Sequence, residues 1–142
     1  MDPREFHHLA DRLAQGNTPA EFRTAIGRAY YAAFNVAAEG LRTLGFRIGK
    51  GGAAHGEVVH CVWNAGDPAV TAAADLLNAL HSLRNRADYH LDKRDVEESP
   101  VTKKAVEDAR MVTQAVDAAF TGPQRTAIQA AIAKWRRENG YP

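Results

Sequence analysis

Glycines and prolines in this chain fall between long segments whose apolar residues recur every three or four positions, and nowhere does the alternation of a strand persist. β-Branched residues are scattered, not clustered. That pattern leaves an all-α protein as the expected class, an up-and-down bundle of four to five main helices. With 142 residues the chain has the length of one domain and can bury a core without disulfides or a metal. The expected division is a core over about 18–121, with a C-terminal helix over 123–139 added to it.

Capping residues and breakers give the boundaries. A first short helix is expected from Pro3 to Gln15, with Phe6, Leu9, Ala10 and Leu13 on one face and Gly16-Asn17 as its stop. Thr18 then reads as an N-cap, Pro19 as the first helical residue, and Glu21 completes a capping-box spacing. The helix so opened runs to about Leu44 and presents a mostly small face: Phe22, Ala25, Ile26, Ala29, Ala33, Val36, Ala37, Gly40 and Leu44. Small residues let a neighbour approach closely, so a tightly packed antiparallel partner is expected. A glycine-rich segment, Gly45 to Gly52, reads as a mobile loop made basic by Arg47 and Lys50. A short helix over Ala54 to Asn64 follows. Asp67-Pro68 opens the partner helix, which should continue to about Leu91. The polar run Asp92 to Ser99 reads as loop, Pro100 to Phe120 as helix, and Gly122-Pro123 separates this from a last helix ending near Asn139. Its terminal cations Lys134, Arg136 and Arg137 suit the helix dipole and read as a solvated face.

Composition narrows the function classes only slightly. Apolar residues at 45% and charged residues at 25% are ordinary globular usage, and a net charge of +1 gives no global field toward nucleic acid, so any such binding needs a local basic patch. The single cysteine, Cys61, has no partner for a bridge, and with Val59, Val62 and Trp63 beside it reads as a buried thiol in a reducing compartment. No apolar leader follows Met1-Asp2-Pro3 and no run approaches a membrane span, so a cytoplasmic protein is expected. The six histidines lack the paired spacing with a carboxylate that a helical zinc site needs, and Gly49-Lys50-Gly51-Gly52 is not a P-loop, so neither metal nor cofactor is expected.

The segment Leu83-Arg84-Asn85-Arg86-Ala87-Asp88-Tyr89-His90 crowds two arginines, an aspartate and a histidine into a helix otherwise patterned to pack apolarly. Leu76, Leu80, Leu83 and Ala87 define the expected buried stripe, and at roughly a hundred degrees per residue Arg84 and His90 fall on its opposite flanks. Arg84 and Asp88 are four apart, as are Arg86 and His90, so ion pairs within the helix are one account of these residues. On the long second helix, Arg28 lies near a polar flank, and Tyr31 and Ala32 turn away from the Ala29-Ala33 face.

Taken together, Arg28-Ala29-Tyr30-Tyr31-Ala32-Ala33-Phe34 and the later Arg84-Asn85-Arg86-Ala87-Asp88-Tyr89 resemble the HEPN superfamily of small helical domains. The nearest branch carries an Arg-x-x-Ala-Asp-Tyr signature and is related to proteins of toxin and antitoxin pairs with a nucleotidyltransferase. The resemblance covers about Thr18 to Leu91 and includes His55-Gly56, where that branch has a similar histidine. It implies a homodimer whose motif arginines line a shared cleft. Many such domains carry Arg, four to six residues, then His, and cleave RNA without metal; Arg84 and His90 fit that spacing, with Asn85 in the polar position after the arginine. On this resemblance Arg84 and His90 are the catalytic candidates, and Asn85, Arg86, Asp88, Tyr89, Arg28, Tyr31 and His55 bind or support. The branch whose antitoxin adenylylates it has a tyrosine two residues after the histidine; this chain has Asp92 there.

The chemistry suits those residue types. An imidazole can accept the proton of a ribose 2′-hydroxyl or donate one to the leaving oxygen, and Arg84 can bind the phosphate through two N–H groups and stabilise its added charge. In a dimer, one histidine would act as base and its mate as acid. Two functions are therefore expected: an RNA-binding, metal-independent endoribonuclease, as the toxin of a pair with a nucleotidyltransferase antitoxin, or a non-catalytic interaction or nucleotide-binding module acting with such a partner.

Overall fold

A computed structural model describes all 142 residues and contains helices and turns but no strand. Its elements are α1 (Arg4–Ala14), α2 (Pro19–Thr43), α3 (Ala54–Trp63), α4 (Pro68–Tyr89), a 3₁₀ turn (Asp95–Glu97), α5 (Ser99–Thr121) and α6 (Arg125–Glu138). No helix is long and apolar enough to cross a membrane.

Local chemistry sets the ends. Thr18 Oγ1 accepts from Glu21 N–H at 3.2 Å, and Pro19 occupies the first turn. The Glu21 carboxylate accepts from the Thr18 hydroxyl at 2.8 Å, so the reciprocal half of a capping box to backbone N–H is replaced by a side-chain bond. Gly45, at φ +98°, closes α2: its N–H bonds Arg42 O at 2.9 Å and the Phe46 N–H bonds Leu41 O at 3.1 Å, the paired bonds of a Schellman motif. Asp67 Oδ1 caps α4 by accepting from Ala69 and Val70 N–H at 3.0 and 3.1 Å. The Gly45–Gly52 segment is tied down: Ile48 is buried, and Arg42 Nη2 donates to the carbonyls of Ile48 and Gly49, both at 3.3 Å.

The long helix α2 is the axis of the bundle. It packs against α1 and α5 most extensively, then α4, the 3₁₀ turn and α3, so it is buried on several sides. Ala32, expected to turn away, is fully buried with Ala29 and Ala33 because helices cover both of those faces. The small stripe serves α5 as well as α4: a Cβ on Gly40 would stand 2.8 Å from the Phe120 ring and 3.3 Å from Val116. On α4 the buried stripe is Val70, Ala73, Ala74, Leu77, Leu80 and Ala87, while Leu76 and Leu83 are only half-buried. That shift places Arg84 on the inner side of α4, between Leu80 and Ala87, and not on its flank.

Two more expectations are corrected. The polar run Asp92 to Ser99 contains a 3₁₀ turn with Val96 fully buried. Arg136, read as a solvated cation, is only 2% exposed: it pairs with Glu57 at 2.9 Å, donates to Arg47 O at 2.9 Å and lies over the Phe46 and Tyr141 rings. Helix α6 is knit into the core through Ile128 and Ile132, and Gln129 Nε2 donates to Leu44 O at 2.6 Å across the end of α2. Cys61 is buried as expected, and burial pushes its thiol pKa up.

Candidate functional site

Arg84 is the centre of the site. Its Nε lies 2.9 Å from Asp88 Oδ2, its Nη2 donates to the Tyr31 hydroxyl at 2.6 Å, and its Nη1 donates to Asn85 Oδ1 at 3.3 Å. The Nε makes no hydrogen bond despite that approach, while Nη1 and Nη2 each keep a second N–H beyond the bonds they make. Across from Asp88, α2 presents Gly27, where a Cβ would stand 3.4 Å from the carboxylate, an ordinary van der Waals contact.

Around Arg84 cations and rings alternate. The Arg28 Cζ lies 5.1 Å from the Phe6 ring centre and 4.7 Å from that of Tyr31. The Arg84 Cζ lies 5.1 Å from the same Tyr31 ring, 5.2 Å from Tyr89 and 5.9 Å from Tyr30. Phe6, Arg28, Tyr31, Arg84 and Tyr89 thus form a column contributed by α1, α2 and α4, held by cation–π attraction. Tyr89 stands at its open end, 66% exposed, next to Leu91 at 73%.

His90 is exposed and lies beyond the helix, as the C-cap of α4 with φ −120° and ψ 80°. The helix was expected to reach Leu91; it stops at Tyr89 because Arg23 of α2 takes over the carbonyls there. Arg23 Nη1 donates to the carbonyls of Arg86, Ala87 and His90 at 3.3, 2.8 and 3.3 Å, and Nη2 to those of Leu91 and Lys93 at 3.3 and 2.7 Å. Glu97 of the 3₁₀ turn pairs with the same guanidinium at 2.9 Å. Orphan carbonyls at a helix end need partners, and a buried arginine supplies them here. Arg86 turns away from this centre to pair with Asp95.

His55, at the start of α3, reaches the site from behind. Its Nε2 contacts Asn78 Oδ1 at 3.4 Å and its Nδ1 contacts the Tyr30 hydroxyl at 2.8 Å. The amide oxygen accepts from Nε2–H, so Nδ1 accepts from the tyrosine. Burial pushes the Tyr30 hydroxyl pKa well up, which keeps it a donor. His81, one turn before Arg84, stacks on His55 with ring centres 3.6 Å apart and planes 15° from parallel. Burial lowers both imidazoles from their ordinary value; His81 lowers His55 further, and Arg84 does the same to His81. Both are neutral at pH 7.

Arg84, Asn85, Asp88, Tyr89, Arg28 and Tyr31 are therefore brought together, His90 and His55 border them, and Arg86 stands apart. The sequence reading missed Phe6, Tyr30, Asn78 and His81 as site residues, and Arg23 altogether. A signal existed for His81, three residues before Arg84 and thus on its face of α4. No three side chains among His, Cys, Asp and Glu converge as a metal would require. Comparison of the chain with protein-family models, curated proteins and solved structures returned no match.

Proposed function

We propose that this protein binds single-stranded RNA along the Phe6–Arg28–Tyr31–Arg84–Tyr89 column and cleaves it without metal as a HEPN-type homodimer. The observation that carries the reading is the alternation of rings and cations beside an exposed histidine. Single-stranded RNA alternates bases and phosphates, and protein surfaces that bind it pair stacking rings with guanidinium groups. Tyr89 offers a free ring at the open end, and Arg84 retains two N–H groups for a phosphate. With Arg84 holding the phosphodiester, the 2′-oxygen attacks phosphorus as its proton passes to one imidazole, and the P–O5′ bond breaks as a second imidazole protonates the departing oxygen. The products are a 2′,3′-cyclic phosphate and a 5′-hydroxyl. Exposed Leu91 beside His90 offers an apolar contact for the second copy. The toxin role and a nucleotidyltransferase partner follow only from the sequence resemblance.

A second reading has its own support. Asp88 and Tyr31 already engage Arg84, as they would in a helix pair held together for binding alone. The two separate on labelled single-stranded RNA in excess EDTA. Cleavage by the wild type, lost in folded Arg84→Ala and His90→Ala variants, supports the ribonuclease. Intact RNA with a dimeric wild-type protein leaves the non-catalytic module.

A further inference from the structure

We infer that His81 is the imidazole that takes the ribose 2′-hydroxyl proton, and that His55, stacked behind it, is its positioning residue; this rests on the ribonuclease reading. Sequence spacing points to His90 alone, yet the structure sets a second imidazole beside the motif arginine. The His81 ring and the Arg84 guanidinium lie against the same Tyr30 ring, at 5.3 and 5.9 Å.

The two stacked histidines differ in what their nitrogens do. Both of His55's are engaged, with Tyr30 and Asn78. His81 makes no hydrogen bond within the chain, and neither of its nitrogens is a buried orphan, so both keep access to solvent. The groups facing it are Tyr30 from α2, His55 from α3 and Arg84 from α4. Burial and the Arg84 charge keep His81 unprotonated at neutral pH, the form in which it can accept a proton.

Along α4 the order is His81, Arg84, His90. At about a hundred degrees per residue His81 and His90 stand on opposite sides of α4, so a phosphodiester held on Arg84 meets His81 one turn away and takes its second imidazole from the other copy of the proposed homodimer. His81 takes the 2′-hydroxyl proton, the new P–O2′ bond forms, the P–O5′ bond breaks, and the other copy's His90 gives a proton to the 5′-oxygen. One proton enters and one leaves the protein, and no co-reactant is needed.

The test is the pH dependence of RNA cleavage by wild type, His81→Ala and His81→Gln, with melting temperatures to confirm that each variant folds. Wild-type activity should rise with pH along a limb centred below the ordinary imidazole value of about 6.5. Both variants should lose about a hundredfold or more in rate and lose that limb, and added imidazole should restore part of the rate of His81→Ala alone. His81 variants that cleave at wild-type rate with the limb intact would overturn this inference and leave the ribonuclease standing. A wild type that leaves RNA intact at every pH would overturn both.

Discussion

Arg23 illustrates how one side chain can set a site it does not enter. At 8% exposed it holds five backbone carbonyls and Glu97, and so fixes where α4 ends and where His90 begins. Arg23→Ala strips those carbonyls of their partner; loss of several charge-assisted bonds at once should cost about 3 kcal/mol and lower Tm by roughly 10 °C. Arg23→Lys should recover little, because an ammonium cannot span two carbonyl clusters and a carboxylate. A thermal melt of both variants decides it, and a lysine variant as stable as wild type would contradict the account. Asp88→Ala should lower Tm by more than His90→Ala, since Asp88 pairs with the nearly buried Arg84 while His90 projects into solvent; equal melting temperatures would contradict that. Arg23 was invisible in the sequence because on a helical wheel it is one more cation beside Phe22. Only the arrival of the α4 terminus gives it partners. The Arg84–Asp88 pair, by contrast, was legible from its spacing of four.

Among the elements, the helices were legible to within a residue or two because Thr18, Pro19, Gly45, Asp67, Pro68 and Gly122 each have a local chemical reason to start or stop one. Packing was less so. A small stripe on α2 announced a close neighbour without saying which, and the structure gives much of it to α5. Gly40→Ala tests that contact: alanine gains up to about 1 kcal/mol in helix propensity, but its methyl meets the Phe120 ring, and overpacking costs about 1–3 kcal/mol. A net loss of stability is the expected outcome in denaturant unfolding; a net gain would show that Phe120 yields freely. The 3₁₀ turn escaped notice because a single apolar residue, Val96, in a charged run carries no periodicity. Arg136 escaped because its burial depends on α3 and the Phe46 loop, both remote in sequence.

For the whole molecule, three imidazoles couple stability to pH. Burial lowers the pKa of His7, His55 and His81, so the unfolded chain, with ordinary values near about 6.5, binds protons first as pH falls. Their stabilisation is fully present above that value and is lost as pH falls through the folded ones. Tm should therefore decline between about pH 7 and pH 5, above the usual carboxylate range, and His55→Gln should shallow the decline. A flat profile would contradict the half-buried, neutral histidine stack. The column depends on this same assembly, since Phe6, Arg28, Tyr31, Arg84 and Tyr89 meet only when α1, α2 and α4 pack; their types were legible, their contact was not. The most direct test of the column as an RNA surface is the anisotropy of a labelled single strand with 2′-O-methyl groups, which cannot be cleaved. Saturable binding that weakens about tenfold or more in Arg28→Ala and in Tyr31→Ala, and falls with added salt, is the predicted result. Absence of binding by the wild type, or equal binding by both variants, would contradict it.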